Sequence, residues 1–455
     1  MTIFAQRAYL QDGWAKDVRI TLRAEEIAHI QTQTAPKPED IRVDTLLPAL
    51  SNLHSHSFQR AMAGMTEFRT AGRESFWTWR DLMYRFLDHL TPEEIGAIAR
   101  LAFMEMQEAG FAAVGEFHYI HHAPGGQFYD NPAELSDQIL QAASDTGIGL
   151  THLPVLYSYG DVGQKPLTGG QLRFGHKVDQ YIELIDRCQD MVKQLNADTR
   201  LGIAPHSLRA TSPSDLARVS SLQAQGPIHI HIAEQVKEVE SVKAALGARP
   251  VEWLLHNAEV DARWCLIHAT HMTDEETQGI AQSGAIAGLC PVTEANLGDG
   301  IFNGPAYIEN GGKFGIGTDS NINISLCEEL RTLEYSQRLK HQQRNVLAAG
   351  HGSTGETLYT NAALGGAQAL SRNAGILGEG KLADMVAIDS TAPALCMLRD
   401  DQLLDGLVFA AKDKVVTDVW SGGRHQVHGG HHVAQEEILS QYREAMRKLM
   451  ATLNK

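Results

Sequence analysis

Four short stretches of this chain carry the residue types that bind metals and move protons. They are His54-Ser-His56, His229-Ile-His231-Ile-Ala-Glu234, His268-Ala-Thr-His271 and Gly315-Ile-Gly-Thr-Asp319. On a β-strand, residues i and i+2 point to the same face, so His54 and His56 can reach one ion, and so can His229 and His231. Imidazole and carboxylate together suit zinc and its first-row neighbours. Taken singly, each stretch has a plainer reading: polar side chains at a rim, a core histidine, a capping carboxylate. The readings separate only if the fold gathers all four stretches in one place.

The surrounding elements have the right order to do so. Apolar runs near Leu46–His56, Ala112–His121, Gly147–Leu156, Arg200–Leu208, Ile228–Ala233, Cys265–His271, Ala285–Pro291 and Phe314–Asp319 read as strands. Helical stretches such as Pro92–Glu108, Val178–Leu195, Ser214–Gln223 and Val236–Leu246 fall between them. Parallel strands with crossover helices give this alternation, and eight such units predict an α/β fold, a (β/α)8 TIM-like barrel over residues 46–374. The four stretches then end strands one, five, six and eight, which converge on one mouth. Outside the barrel, β-like runs such as Val18–Leu22 and Val415–Gly423 predict a small β-sandwich domain built from both termini, residues 1–45 and 375–455, with a terminal helix. An insertion, Phe58–Leu87, holds Phe76-Trp-Thr-Trp-Arg80 and Tyr84-Arg-Phe86 on the catalytic face, as a pocket wall or lid whose aromatics mostly pack the loop.

Composition narrows the classes of function. The 455 residues include 39 Lys+Arg against 55 Asp+Glu, a formal charge of −16. That balance argues against nucleic acid or an anionic membrane as partner, and leaves any anionic substrate to a few local cations. Five scattered cysteines (Cys188, Cys265, Cys290, Cys327 and Cys396) without a C-x-x-C read as buried free thiols in a reducing compartment. No apolar run approaches membrane-spanning length, and Met1–Trp14 lacks a basic region followed by an apolar core, so a cytoplasmic protein is expected. Of 21 histidines, His121-His122 reads as a loop pair and His425, His428 and His431-His432 as a solvated hairpin. Ser207 and Ser320 lack the nucleophile-elbow context.

The order of the four motifs, together with the composite β domain and its G-x-G-x-x-A-D segment from Gly378 to Asp384, resembles the amidohydrolase superfamily over almost the whole chain. The resemblance implies a metal held by His54, His56, His231 and Asp319. Zinc suits three imidazoles, a carboxylate and water, with Fe2+ as the alternative. The fourth strand reads Ile203-Ala-Pro-His-Ser-Leu208 and offers no lysine to bridge two metals, so one ion per chain is expected. His231-Ile-Ala-Glu234 resembles the deaminase branch, in which the glutamate shuttles protons. By that likeness Asp319 takes the proton of the attacking water, His268 orients the water, and Glu234 protonates the substrate nitrogen and then the departing ammonia.

Four further segments are similar to one branch of that superfamily, the formimidoylglutamate deiminases. They are residues 54–64, Phe76–Arg80, Glu116–His122 and Ala204–Ala210, the last two being the most distinctive. The likeness implies hydrolysis of N-formimino-L-glutamate to N-formyl-L-glutamate and ammonia, in histidine degradation. A substrate with two carboxylates needs guanidinium forks, for which Arg209 and Arg80 are the candidates. Gln59, Tyr119 and His206 are the candidates for further hydrogen bonds. Two rivals stand beside this reading: a deaminase of guanine, an adenosine-like compound or a triazine, and a catalytically silent barrel used as a scaffold. The expected assembly is a homodimer, with the segment Cys327–Lys340 as an exposed contributing helix.

Overall fold

The computed structural model describes residues 1–68, 76–222 and 226–453, the side chains of residues 76–78 excepted. From the N-terminus the chain forms β1 (Thr2–Leu10), β2 (Gly13–Arg23), β3 (Glu26–Gln31), β4 (Ile41–Pro48) and β5 (Leu50–Ser55). Helices α1 (Phe76–Leu87) and α2 (Pro92–Glu108) lead to β6 (Phe111–His118), and α3 (Glu134–Thr146) to β7 (Gly149–Leu156). After α4 (Val178–Val192) come β8 (Arg200–Leu201), β9 (Ala204–Pro205), α5 (Pro213–Ser220) and β10 (Ile228–Ile232). Next are α6 (Val236–Leu246), α7 (Pro250–Asn257), β11 (Trp264–His268), α8 (Asp274–Ser283) and β12 (Ile286–Leu289). Then follow α9 (Pro291–Leu297), α10 (Gly304–Glu309), β13 (Lys313–Ile316), α11 (Leu326–His341) and α12 (Thr354–Ala369). The chain ends with β14 (Met385–Ile388), α13 (Asp400–Phe409), β15 (Val416–Ser421), β16 (Arg424–His428), β17 (His431–His432) and α14 (Gln435–Leu453).

Two parallel sheets carry the middle of the chain, one of β5, β6, β7, β8 and β9, the other ordered β10-β11-β12-β13. Every residue of β6 and β7 is buried, as expected of strands covered on both faces. Single parallel bridges, Ser55 with Asp319 and Ile203 with Ile228, link the edges of the two sheets. The crossover helices have local starts: Thr91 and Glu94 form a capping box on α2 with Pro92 in its first turn, and Thr273 with Glu276 does the same for α8.

Strands from both ends of the chain share one eight-stranded sheet, ordered β17-β16-β15-β14-β4-β1-β2-β3. The stretch read as one strand over Leu46–His56 is therefore two. Through Pro48 it belongs to the terminal sheet, pairing with β14, and from Leu50 it belongs to the parallel sheet, with Ala49 N donating to Asp384 O at the crossing. The stretch Arg200–Leu208 is likewise two short pieces, because β8 and β9 each pair with β7 over only two residues.

A buried ion network fastens the two parts together. Arg372 meets Asp198 and Asp384 at 2.9 Å each, and Arg424 meets Asp198 at 2.9 Å. Asp384, the last residue of the Gly378–Asp384 segment, also accepts from Gly422 N at 2.7 Å. Gly149, at the start of β7, leaves room for this guanidinium: a Cβ there would lie 2.6 Å from Arg372 Nη2.

Two expectations need correction. Cys396 is exposed, while the other four cysteines are buried and all five are free. Helix α11 is not an exposed segment: Leu330, Leu333, Glu334 and Gln337 are buried, leaving Tyr335 and Leu339 as its exposed large apolar side chains. In the insertion, residues 69–75 and the side chains of 76–78 lie outside the description, while Met83, Phe86 and Leu87 pack into the core. Among the described residues, no helix is long and apolar enough to cross a membrane.

Candidate active site

The ends of β5, β10, β11 and β13 meet at one mouth. Reciprocal backbone hydrogen bonds, His56 N to Asp319 O and Asp319 N to His54 O at 2.9 Å each, lock the first strand to the last. Side chains tie the same seam: Asn52 Nδ2 donates to Thr318 Oγ1 at 2.6 Å, and Asn321 Nδ2 to Ser55 Oγ at 3.1 Å. At and just beyond these strand ends the backbone is left-handed at Ala233 (φ +52°), His268 (+69°), Ala269 (+48°), Asp319 (+44°) and Asn321 (+54°). None of these is glycine, so each conformation costs free energy, and such strain collects at functional sites.

One ligand atom from each of His54, His56, His231 and Asp319 lies within 4.8 Å of every other, and all four residues are buried. His54 Nε2 has His56 Nε2 at 3.2 Å and His231 Nε2 at 3.1 Å, while Asp319 Oδ1 lies 3.2 Å from His56 Nε2 and 3.6 Å from His54 Nε2. His56 Nδ1 donates to Phe117 O at 2.9 Å and His231 Nδ1 to His206 O at 3.1 Å. Carbonyls only accept, so both Nε2 atoms present lone pairs, and a proton on His54 Nε2 could satisfy only one of them. Burial drives all three imidazoles toward the neutral, ligating form, His54 down to about 3. Moreover, His54 Nδ1 is buried with no hydrogen-bond partner among the described residues. Converging lone pairs beside a carboxylate fit a divalent cation. Tetrahedral bonds of about 2.0–2.1 Å set ligand atoms about 3.3–3.4 Å apart, close to the spacing here.

Against this group lie the candidate proton carriers. His268 Nε2 is 3.8 Å from Glu234 Oε1 and 3.9 Å from Asp319 Oδ2, and its Nδ1 is 3.2 Å from Glu294 Oε1. Burial disfavours its charged form, but the carboxylates of Glu234, Asp319 and Glu294 outweigh that and hold its pKa up at about 10. Burial pushes Glu234 up to about 7, although His268 pulls the other way. Asp319 stays well below the usual carboxylate range: burial opposes this, and the imidazoles of His54, His56 and His268 beside it overcome it. Carboxyl groups driven apart in this manner are suited to different proton roles.

Gln59, Arg80, Tyr119, His206 and Arg209 line the same cavity as His56, His231, Glu234, His268 and Asp319. Gln59 follows His56 in a 3-10 turn (Ser57–Met62) anchored by Glu116, which accepts from Ser57 N at 2.7 Å and Ser57 Oγ at 2.6 Å. Its Nε2 donates to Tyr119 Oη at 2.7 Å. The His206 ring lies 4.8 Å from that of His231. Arg209 is 8% exposed, and Arg80, on α1, lies 5.5 Å from the Tyr84 ring centre. Every candidate site residue thus reaches one cavity or its floor. The histidines set aside are elsewhere: His229 Nε2 donates to Ala369 O, and His121 and His122 to the carbonyls of Val155 and Gly175.

Sequence reasoning missed Glu294, Tyr157 and Phe174. Tyr157 and Phe174 line the cavity with Tyr84. Glu294 holds His268 Nδ1 and accepts from Cys290 N at 2.9 Å. Its signal was an acidic residue in the first turn of the helix that follows the seventh predicted strand, Pro291-Val-Thr-Glu294.

Known proteins bear on this geometry. Residues 45–425 match the model of the amidohydrolase family, and residues 1–44 that of the formimidoylglutamate deiminase HutF, N-terminal domain. A formimidoylglutamate deiminase of Pseudomonas aeruginosa is 45% identical over 451 residues, 98% of this chain and 99% of its own. The crystal structure of an amidohydrolase from Brucella melitensis superposes with a TM-score of 0.95 at 47% identity, covering 99% of both chains. An adenosine deaminase from Xanthomonas campestris, solved with bound zinc, shares the fold at 22% identity and a TM-score of 0.80, over 99% of this chain and 98% of its own. This chain belongs to the amidohydrolase family.

Proposed function

We propose that this protein is a formimidoylglutamate deiminase, hydrolysing N-formimino-L-glutamate to N-formyl-L-glutamate and ammonia in histidine degradation. The observation that carries the reading is one cavity lined both by His56, His231 and Asp319 of the ligand set with Glu234 and His268, and by Arg80 and Arg209. The amidine needs hydrolytic machinery, and the two carboxylates need guanidinium forks.

His54, His56, His231 and Asp319 would hold one zinc ion, with Fe2+ as the alternative. Bound there, the ion supplies a Lewis acid that brings the pKa of water to about 7. The chain's own groups do the rest. Asp319 accepts the proton of the attacking water through the carboxylate oxygen that faces His268. His268, its Nδ1 fixed by Glu294, orients the attacking water with its Nε2 edge. Glu234, poised near neutrality, protonates the imino nitrogen as the C–O bond forms, then takes the proton of the new hydroxyl and passes it to the nitrogen as C=O forms, the C–N bond breaks and ammonia leaves; the proton held by Asp319 returns to Glu234 for the next turnover. Arg209 and Arg80 bind the carboxylates, with Gln59, Tyr119 and His206 completing the hydrogen bonds.

The same reading takes a closed eight-stranded barrel, supported by the two single bridges between the parallel sheets. It takes a terminal sheet folded over as a sandwich, supported by the apolar cluster that Ile3, Val18, Ile27, Val43, Met385 and Trp420 share and by the bridge from Glu26 to Leu382. It moves the first division from residue 45 to Ala49, where the chain changes sheets, and retains the second at residue 375, a small dianion as the only class of partner besides a second copy of the chain, and a homodimer to which Tyr335 and Leu339 contribute. Four buried free thiols support a cytoplasmic location. The test is a substrate panel followed by ammonia release: N-formimino-L-glutamate against guanine, adenosine and a triazine. Turnover confined to N-formimino-L-glutamate is expected, and turnover of a purine or triazine in its place overturns the reading.

A further inference from the structure

A second group of metal-binding side chains lies on the terminal sheet, and its arrangement depends on a break in the strand register. Strands β15 and β16 pair antiparallel, Asp418 with His428 and Val419 with Val427, but then Trp420 with His425. Gln426 is thus an extra residue on β16, a β-bulge. In a regular strand, residues three apart face opposite ways. The bulge removes that alternation, so His425 and His428 both lie on the face that carries Asp418 and Trp420. His425 Nε2 is 2.9 Å from Asp418 Oδ1, its ring stacks on Trp420 at 4.2 Å, and the His428 ring lies 3.5 Å from it. One ligand atom from each of Asp418, His425 and His428 lies within 4.8 Å of the others. His425 and Asp418 are largely covered, with side chains 8% and 17% exposed, whereas His428 is exposed and gives entry from solvent. None of the three lines the catalytic cavity.

From this juxtaposition we infer that Asp418, His425 and His428 form a second divalent-metal site, separate from the catalytic one. Two imidazoles and one carboxylate select Zn2+, Cu2+ or Ni2+ over Mg2+ or Ca2+, which prefer all-oxygen sites. Trp420 fixes the His425 ring and the cross-strand pair fixes Asp418 against His428, so two of the donors are already ordered. The remaining positions belong to water or to His431, the cross-strand partner of His428. Because the site spans two strands of the terminal sheet, an ion there would tie the hairpin together without reaching the substrate.

The test is a Zn2+ titration of the protein already carrying one equivalent of zinc, followed by calorimetry and by metal content after dialysis. Wild type is expected to take up a second equivalent, while His428→Ala and Asp418→Asn take up none and keep the first equivalent and full turnover. Cu2+ added as a probe is expected to give an electron paramagnetic resonance spectrum with hyperfine coupling to two nitrogens in wild type, a signal absent from His428→Ala. A second equivalent that persists in both variants, or wild type saturating at one, overturns the inference. Neither result depends on which substrate the catalytic cavity takes.

Discussion

Two buried clusters of charge sit at opposite ends of the parallel sheets, and they are built on opposite terms. At the start of β7, Arg372, Asp198, Asp384 and Arg424 balance two cations against two anions, and none of the four has an orphaned buried polar atom. At the strand C-termini, His54, His56, His231, His268, Glu234 and Asp319 crowd together over strained backbone, with lone pairs facing lone pairs and pKa values driven both up and down. The first cluster is complete in the protein alone and contributes stability. The second has no such internal balance; on the proposed function a metal and a substrate complete it, and the fold bears its cost.

The comparison can be broken at several points. Glu234→Gln should lower kcat by about a hundred- to ten-thousand-fold while metal content stays at one per chain; near-normal turnover would remove Glu234 from the proton path. Stripping the metal with a chelator should abolish turnover yet leave the circular dichroism spectrum unchanged, and zinc should restore activity. Loss of the folded signal on chelation would mean that this cluster, too, is structural. Arg372→Met should do the reverse, costing about 3–5 kcal/mol in denaturant unfolding by leaving Asp198 and Asp384 buried without their partner, with kcat per folded molecule unchanged. Arg209→Met should raise KM about ten- to a hundredfold, as expected for loss of a charge-assisted pair, with little change in stability; an unaltered KM would reject the carboxylate clamp.

The smallest effect belongs to the strand between the clusters. His152, midway along β7, is fully buried with its Nε2 3.0 Å from Ser136 Oγ, and burial pulls its pKa down to about 3. Its folded pKa is below the unfolded value near 6.5, so below that value the unfolded chain binds the extra proton and stability falls as pH falls. Between pH 7.5 and 5.5 this one residue should cost about 1.4 kcal/mol. His152→Gln should show that much less pH dependence over the interval; an identical slope would show that His152 titrates in the folded state.

How much of this was legible in the sequence follows from the range of each interaction. His54 and His56 were legible because strand alternation puts them on one face; strand order brings the later histidines and Asp319 to the same mouth, and the family resemblance singled out His231 among them. Glu294 was not, because its use depends on how the first turn of α9 packs beneath His268. Nor was the Arg372 network, whose Asp198 is 174 residues away and lies in a loop. The single strand expected over Leu46–His56 failed because a continuous apolar run does not mark where a chain changes sheets. Likewise the hairpin histidines read as solvated side chains, since a β-bulge at Gln426 leaves no signature in residue type.

The most direct test of the catalytic assignment is the product balance of zinc-loaded protein with N-formimino-L-glutamate. Equal amounts of ammonia and N-formyl-L-glutamate are expected, with about a hundredth as much or less formed in the same time by Glu234→Gln at matched metal content. Formamide and glutamate in their place, or no ammonia from fully loaded wild type, would contradict the account.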